Sequence, residues 1–288
     1  MIDISPSYEE FARHYDAGKT QILYVKHSAD FDTALSAYYK LTKDAPYSFL
    51  LESVEGGAHI GRYSIIACRP DMVWQSSSAH KNPLDDLRAH IKRCKIDIMP
   101  EHLPPACSGG LYGYLGYEMV RYVEPTIPNK NVDTLDIPEG VMMRPQLLAV
   151  FDNVKHELTL SVPVLKTSRT QGCTAKAAYD EACEILKSAI KDLNAPLTQE
   201  SVTHKSALTV PLDMTRNFTD EEYCQLVRDA KQRIVAGDIF QIVPSQRFRT
   251  PFDLPAIDLY RALRRINPSP FLFHLKMDGF ALVGSSPE

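Results

Sequence analysis

Long apolar runs, paired cysteines, paired histidines and a basic excess are all missing from this sequence. No apolar stretch approaches the ~18 residues that a spanning helix needs, so the chain carries no candidate membrane helix. The opening residues, Met1 to Glu10, are acidic and lack the charged-then-apolar plan of a secretory leader. A formal net charge of -4 leaves no electrostatic footprint for nucleic acid. The six cysteines (Cys68, Cys94, Cys107, Cys173, Cys183 and Cys224) form no C-x-x-C pair, and the nine histidines form no H-x-x-x-H pair. Neither a zinc site nor a disulfide framework is indicated, and reduced thiols in a cytoplasmic protein are expected. The glycines at 109, 110, 113 and 116 follow neither G-x-x-x-x-G-K-[ST] nor G-x-G-x-x-G, so they suit tight aromatic packing better than a phosphate cradle. No internal repeat is present.

What is there is an ordinary globular composition, 44% hydrophobic and 24% charged over 288 residues, enough for one large domain or two smaller ones. Apolar spacing predicts helices around Tyr8 to Tyr15, through Phe31, Leu35, Tyr38 and Leu41, over Leu84 to Ile91, and along Ala175, Tyr179, Ala182, Leu186, Ala189 and Leu193. Strands are predicted at Gln21 to His27, in short runs from Ser48 to Trp74, and as a hairpin of Met142 to Phe151 with His156 to Val162. Residues 194–217 are rich in Ser, Thr and Pro and mark a boundary between 1–193 and 218–288. A helix follows, opening on the capping box Thr219 with Glu222 and closing at Gly237. Ala256 to Ile266 is a further helix, stopped before Pro268. Its Arg261, Arg264 and Arg265 make a basic face expected to meet solvent or a subunit. Phe271 to Lys276 and Phe280 to Gly284 form a hairpin around Asp278-Gly279. Hairpins mixed with helices predict an α+β fold with mixed or antiparallel sheets.

Gly237-Asp238-Ile239-Phe240-Gln241-Ile242-Val243-Pro244-Ser245-Gln246-Arg247-Phe248 switches to a period of two. Phe240, Ile242, Pro244 and Phe248 share one face of the predicted strand; Gln241, Val243, Ser245 and Arg247 share the other. An amide, a hydroxyl and a guanidinium together suit a small anionic ligand. A half-polar strand with one solvated face fits the same pattern.

The wording of this segment resembles component I of anthranilate synthase, in the family of chorismate-utilising enzymes. The resemblance continues through Leu50-Leu51-Glu52-Ser53, Gly61-Arg62-Tyr63-Ser64, Gly109 to Tyr117, Arg144-Pro145, Phe151-Asp152-Asn153, Asn267 to Phe273 and Phe280 to Glu288, in order along nearly the whole chain. It implies amination of chorismate and loss of pyruvate to give anthranilate, with magnesium as cofactor. A glutamine amidotransferase subunit in a hetero-oligomer would supply the ammonia, and L-tryptophan would act as feedback inhibitor. Residues 1–193 would be the regulatory region, 194–217 a linker and 218–288 the start of the chorismate-binding domain. The family's magnesium-binding glutamates, chorismate-binding arginine and tyrosine, and catalytic histidine would fall beyond Glu288. No metal ligand is therefore expected in these residues, and residues 1–288 alone are expected to make no anthranilate.

By the same resemblance, Gln241, Ser245 and Arg247 form one wall of the active site. Water-using relatives carry lysine where Gln241 stands. A glutamine amide can orient a nucleophile but cannot take a proton from water near pH 7. Ser53 and Pro270, Phe271 and Leu272 would hold tryptophan between the two parts of the chain. Ser53 would accept from the ligand's ammonium, with Arg62 a weaker candidate for its carboxylate. Glu52 would point away from Ser53 and serve the structure. The prolines beside Ser269 would stiffen an aromatic wall. The family usually has Tyr-Met where this chain has Phe271-Leu272. Two alternatives stay open. One is aminodeoxychorismate synthase, which aminates another ring position and is disfavoured by Val243-Pro244-Ser245 and the complete Leu-Leu-Glu-Ser motif. The other is a non-catalytic tryptophan-binding module.

Overall fold

A computed structural model describes residues 3–43, 45–55, 59–76, 82–128, 132–165, 172–197 and 213–287. They fall into two compact units, Met1–Thr203 with Ala256–Glu288, and His204–Pro255. This grouping does not follow the compositional boundary at 194–217, because the last hairpin joins the sheet of the first unit.

The first unit is built on one antiparallel sheet. Its strands are β1 (Gln21–Ser28), β2 (Ser48–Glu55), β3 (His59–Gln75), β4 (Tyr112–Leu115), β5 (Gly140–Asp152), β6 (Glu157–Val164), and, from the end of the chain, Phe271–Lys276 and Ala281–Ser286. Two two-residue strands in the second unit, β7 (Thr215–Arg216) and β8 (Phe248–Arg249), make those last two β9 and β10. The order across the sheet is β1-β6-β5-β3-β2-β9-β10, with β4 also on β5. The α+β class with antiparallel pairing is thus as the sequence indicates.

Period-two alternation decides what each strand buries. Leu50, Ile66, Leu147, Ala149 and Phe151 face the helices α1 (Tyr8–Asp16), α2 (Ala34–Thr42) and α4 (Ala175–Leu193) in the main core. Phe49, Ala67, Leu148 and Leu275 face the other side. β5 is buried on both faces at most positions, which is why its sequence reads as a nearly continuous apolar run. α4 presents Ala178, Ala182, Leu186, Ala189 and Leu193 to the sheet at helical spacing. Trp74 packs with Leu87 of α3 (Pro83–Arg93) and Met119, and its indole N–H donates to Asp86 (2.8 Å). At Gly113 an added Cβ would lie 1.8 Å from the Val141 carbonyl oxygen, so β4 needs this glycine to approach β5.

Phe31 falls outside α2 and is fully exposed. The helix begins later, where Thr33 and Ser36 cap each other reciprocally.

In the second unit, α5 (Asp220–Ala236) has the expected capping box of Thr219 and Glu222 and ends at Gly237 in the left-handed region (φ 83°). Its apolar stripe is poorly covered. Ala230 is buried, whereas Leu226, Val227 and Ile234 are exposed. The strand expected from Phe240 to Phe248 is not formed. Only Phe248–Arg249 enters a ladder, opposite Thr215–Arg216. A strand needs a neighbour to satisfy its backbone, and the described residues of this unit offer no other. The predicted packed face is open as well, with Phe240 wholly exposed.

Candidate functional site

The β2–β9 seam brings two of the sequence motifs together inside the first unit. Pairing runs without interruption from Ser48 opposite Lys276 to Ser53 opposite Phe271. On its other side β2 shifts register against β3 between Glu52 and Val54, which makes Ser53 the residue at a bulge. Its hydroxyl donates to the Tyr63 carbonyl (3.3 Å). A Cβ at Gly61 would stand 1.9 Å from Ser53 Oγ, so a glycine there is what lets the serine fit. The Val54 N–H donates to the Pro270 carbonyl (3.2 Å), extending the seam past the last strand pair.

Register divides the four candidate tryptophan contacts. Ser53 and Phe271 are directly opposed and share the sheet face away from the helices, and Phe271 is 55% exposed. Leu272 pairs with Glu52, lies on the opposite face and belongs to the helix-side core. Its side chain therefore does not line the Ser53 row. Pro270 is exposed beside it. Ser53 and Phe271 belong to one compact unit, and do not straddle two.

Arg62 is already engaged. Its Nε and Nη2 reach Asp152 Oδ2 at 3.2 and 3.0 Å, and the guanidinium lies 5.0 Å from the Tyr63 ring centroid. Burial opposes ionisation of Asp152, but hydrogen bonds from Arg62 and from the Lys155 and Val154 N–H groups hold its pKa below the ordinary value. Neighbouring Asn153 donates to the Gly61 carbonyl (2.8 Å). The Asp152-Asn153 pair thus clamps the Gly61-Arg62 segment behind Ser53.

Glu52 is nine-tenths buried, and it has the structural role its parity suggests. It accepts from the Tyr260 hydroxyl (2.5 Å) and pairs with Arg264 (3.2 Å), both from α6 (Ala256–Ile266). Burial, then the charge of Glu52, raises the Tyr260 pKa well above the phenol range. The expected solvated basic face of α6 is corrected here. Arg264 serves Glu52 and Arg261 pairs with Asp258 (3.1 Å). Tyr260 and Arg264 are four apart and so share a helix face, a spacing visible in sequence. Their partner lies 208 residues away from Tyr260 and is not.

Sequence reasoning also missed His274 and Tyr38. The imidazole is 2% exposed, opposite Leu50, with Nδ1 3.1 Å from the Tyr38 hydroxyl. That hydroxyl lies 2.8 Å from Ser48 Oγ. Burial, then the charge of Lys276, lowers the His274 pKa to about 4, and burial pushes Tyr38 up to about 12.

The active-site wall expected in the second unit is arranged differently from a strand face. Gln241, Ser245 and Arg247 are exposed. The Arg247 backbone is fixed by Asn217, whose side chain accepts from its N–H (2.8 Å) and whose N–H donates to its carbonyl (3.2 Å). Tyr223 donates to the Pro244 carbonyl (3.2 Å) and Gln246 to the Phe218 carbonyl (2.8 Å). Among the described residues there is no cluster of three or more His, Cys, Asp or Glu side chains that could hold a metal. No described helix is long and apolar enough to cross a membrane.

Comparison with known proteins gives the family. The family described as chorismate binding enzyme matches residues 36–288. Anthranilate synthase component 1 of Cereibacter sphaeroides is 42% identical over 301 residues, covering 98% of this chain and 58% of that protein. The protein of the same name from Synechocystis is 35% identical over 306 residues, covering 99% and 59%. The crystal structure of anthranilate synthase component I from Streptococcus pneumoniae TIGR4 superposes with a TM-score of 0.60 at 25% identity, covering 79% of this chain and 51% of that one. The chain therefore spans under three fifths of the length of these relatives.

Proposed function

The chain belongs to the chorismate-binding enzyme family, and from that premise we propose that it forms the tryptophan-responsive part of an anthranilate synthase component I. The reaction is conversion of chorismate and ammonia to anthranilate and pyruvate, with ammonia delivered by a glutamine amidotransferase subunit. The observation that carries this reading is 42% identity across 98% of the chain to a protein named for that role.

Within this reading the Ser53–Phe271 row is the ligand-facing element. Ser53 is anchored at its bulge, ready to accept from an ammonium, and the exposed Phe271 ring offers an apolar wall beside it. Burial of an indole of ~200 Å² at ~25 cal/mol/Å² gives about 5 kcal/mol gross, against the roughly 1–3 kcal/mol that feedback coupling requires. Glu52, tied to α6, is the residue through which a change at Ser53 reaches a helix.

The test is an exchange. Residues 1–288 replace the aligned part of the Cereibacter sphaeroides relative, and anthranilate fluorescence is followed with chorismate, magnesium and ammonium. The hybrid is expected to make anthranilate and to be inhibited by L-tryptophan, and Ser53→Ala to weaken that inhibition by roughly ten- to a hundredfold, the worth of one charge-assisted hydrogen bond. A folded hybrid that yields aminodeoxychorismate, or that ignores tryptophan, sinks the reading.

A further inference from the structure

The helix-facing side of the β2–β9 seam carries Ser48, Leu50 and Glu52 on one strand and Leu272, His274 and Lys276 on the other. An antiparallel pair can slide by two residues without turning any side chain to the other face, so alternation alone does not choose among such registers. One slide sets Lys276 opposite Leu50, which is fully buried, and draws an ammonium into the core. The opposite slide sets Leu272 against Leu50 and is apolar at that level. It carries the His274 ring about 7 Å along the seam, beyond reach of the Tyr38 hydroxyl. In exchange it offers the ring only Ser48, whose hydroxyl already bonds Tyr38.

Tyr38 itself is bound to the β2 side through Ser48, and its ring meets the imidazole edge-on (centroids 5.4 Å apart, 82° between planes). Among the described residues the Tyr38 hydroxyl is the hydrogen-bond partner of the His274 ring. We propose that His274 is a positioning residue whose bond to Tyr38 selects the register of β9 on β2 and thereby sets Phe271 opposite Ser53. The register claim stands on the seam itself; its consequence for a ligand rests on the tryptophan reading above.

Cross-strand cysteine pairs read the register directly. In the 288-residue chain with the exposed thiols removed (Cys173→Ser, Cys224→Ser), Leu51→Cys with Phe273→Cys reports the observed pairing. Leu51→Cys with Phe271→Cys reports the slide. Mild oxidation followed by peptide mass spectrometry gives the yield of each. His274→Leu, and separately Tyr38→Phe, are expected to raise the slid-to-native ratio by about tenfold, the worth of one buried hydrogen bond. Tyr38→Phe keeps the ring and guards against a failure of His274→Leu to fold. If both variants retain the native ratio, or only His274→Leu shifts it, the bond is not the key and the proposal falls. L-tryptophan binding by calorimetry, on the same two variants without the cysteine pairs, separates the two readings. A shifted ratio with unchanged affinity keeps the register claim and removes the tryptophan site. Lost affinity at an unshifted ratio overturns the positioning role.

Discussion

Ser53 and Gln241 both stand in short motifs that mix apolar and polar side chains, yet they are built in opposite ways. Ser53 lies between two ladders, with Gly61 packed against its hydroxyl and the buried carboxylate of the preceding Glu52 held by two groups of α6. Gln241 is exposed, outside any ladder, in a segment positioned by Asn217 and Tyr223. The same kind of pattern thus gives a rigid row where neighbouring strands satisfy the backbone and an open one where they are absent. Mutations at the first are predicted to be felt by the fold, and at the second only by a ligand.

The sharpest contrast is expected at Glu52. Glu52→Ala leaves Arg264 without its partner beside a buried Tyr260 hydroxyl, at a cost of about 3–5 kcal/mol. It should appear as a large drop in the urea midpoint, with Glu52→Gln, which still accepts from Tyr260, losing less. An unchanged midpoint would show that α6 docks without this clamp.

Acid should find the same seam. The folded pKa of His274 is about 4, below the unfolded 6.5. Between those values the unfolded chain binds the proton and the folded chain does not, so stability falls as pH drops. The contribution is nil above the unfolded pKa and reaches about 3 kcal/mol of lost stability below pH 4. Urea titrations at pH 7, 5.5 and 4 on the parent and on His274→Leu would measure it. Equal slopes for both would place the acid sensitivity elsewhere.

Gly61→Ala comes next, at about 1–3 kcal/mol for overpacking against Ser53. It is also predicted to weaken tryptophan binding, because the bulge must shift. Calorimetry that finds full affinity would detach the ligand from Ser53. The smallest effect is expected at Gln241→Ala, within about 0.5 kcal/mol of the parent in thermal or urea unfolding. A larger loss would mean that the open segment is held more firmly than its exposure indicates.

Much of the first unit was legible because its signals are local. Apolar spacing placed the helices, and apolar runs broken by turn residues placed β5, β6 and the final hairpin within a residue or two. Ser53 and Phe271 could be named from motif wording, and the opposite facing of Glu52 followed from strand parity. The seam was hidden, because it depends on pairings between residues more than 200 apart. Leu272 looked like a ligand contact from its neighbours, and only register turns it into the core. Arg264 looked like surface charge for the same reason. The Phe240 to Phe248 segment erred in the other direction: its alternation was real, but alternation specifies a strand only where a partner strand exists.

Completing the seam means bringing Tyr38 to His274, 236 residues further along the chain. At a ribosome adding about 5–20 residues per second, β2 is made on the order of tens of seconds before β9 can reach it. Through that interval Glu52 lacks Tyr260 and Arg264, and one long edge of β2 offers unpaired amides to any passing strand. The nascent chain therefore has a period of aggregation risk built into the order of its strands, and a chaperone that shields β2 until residue 276 emerges would cover the edge that waits longest for its partner.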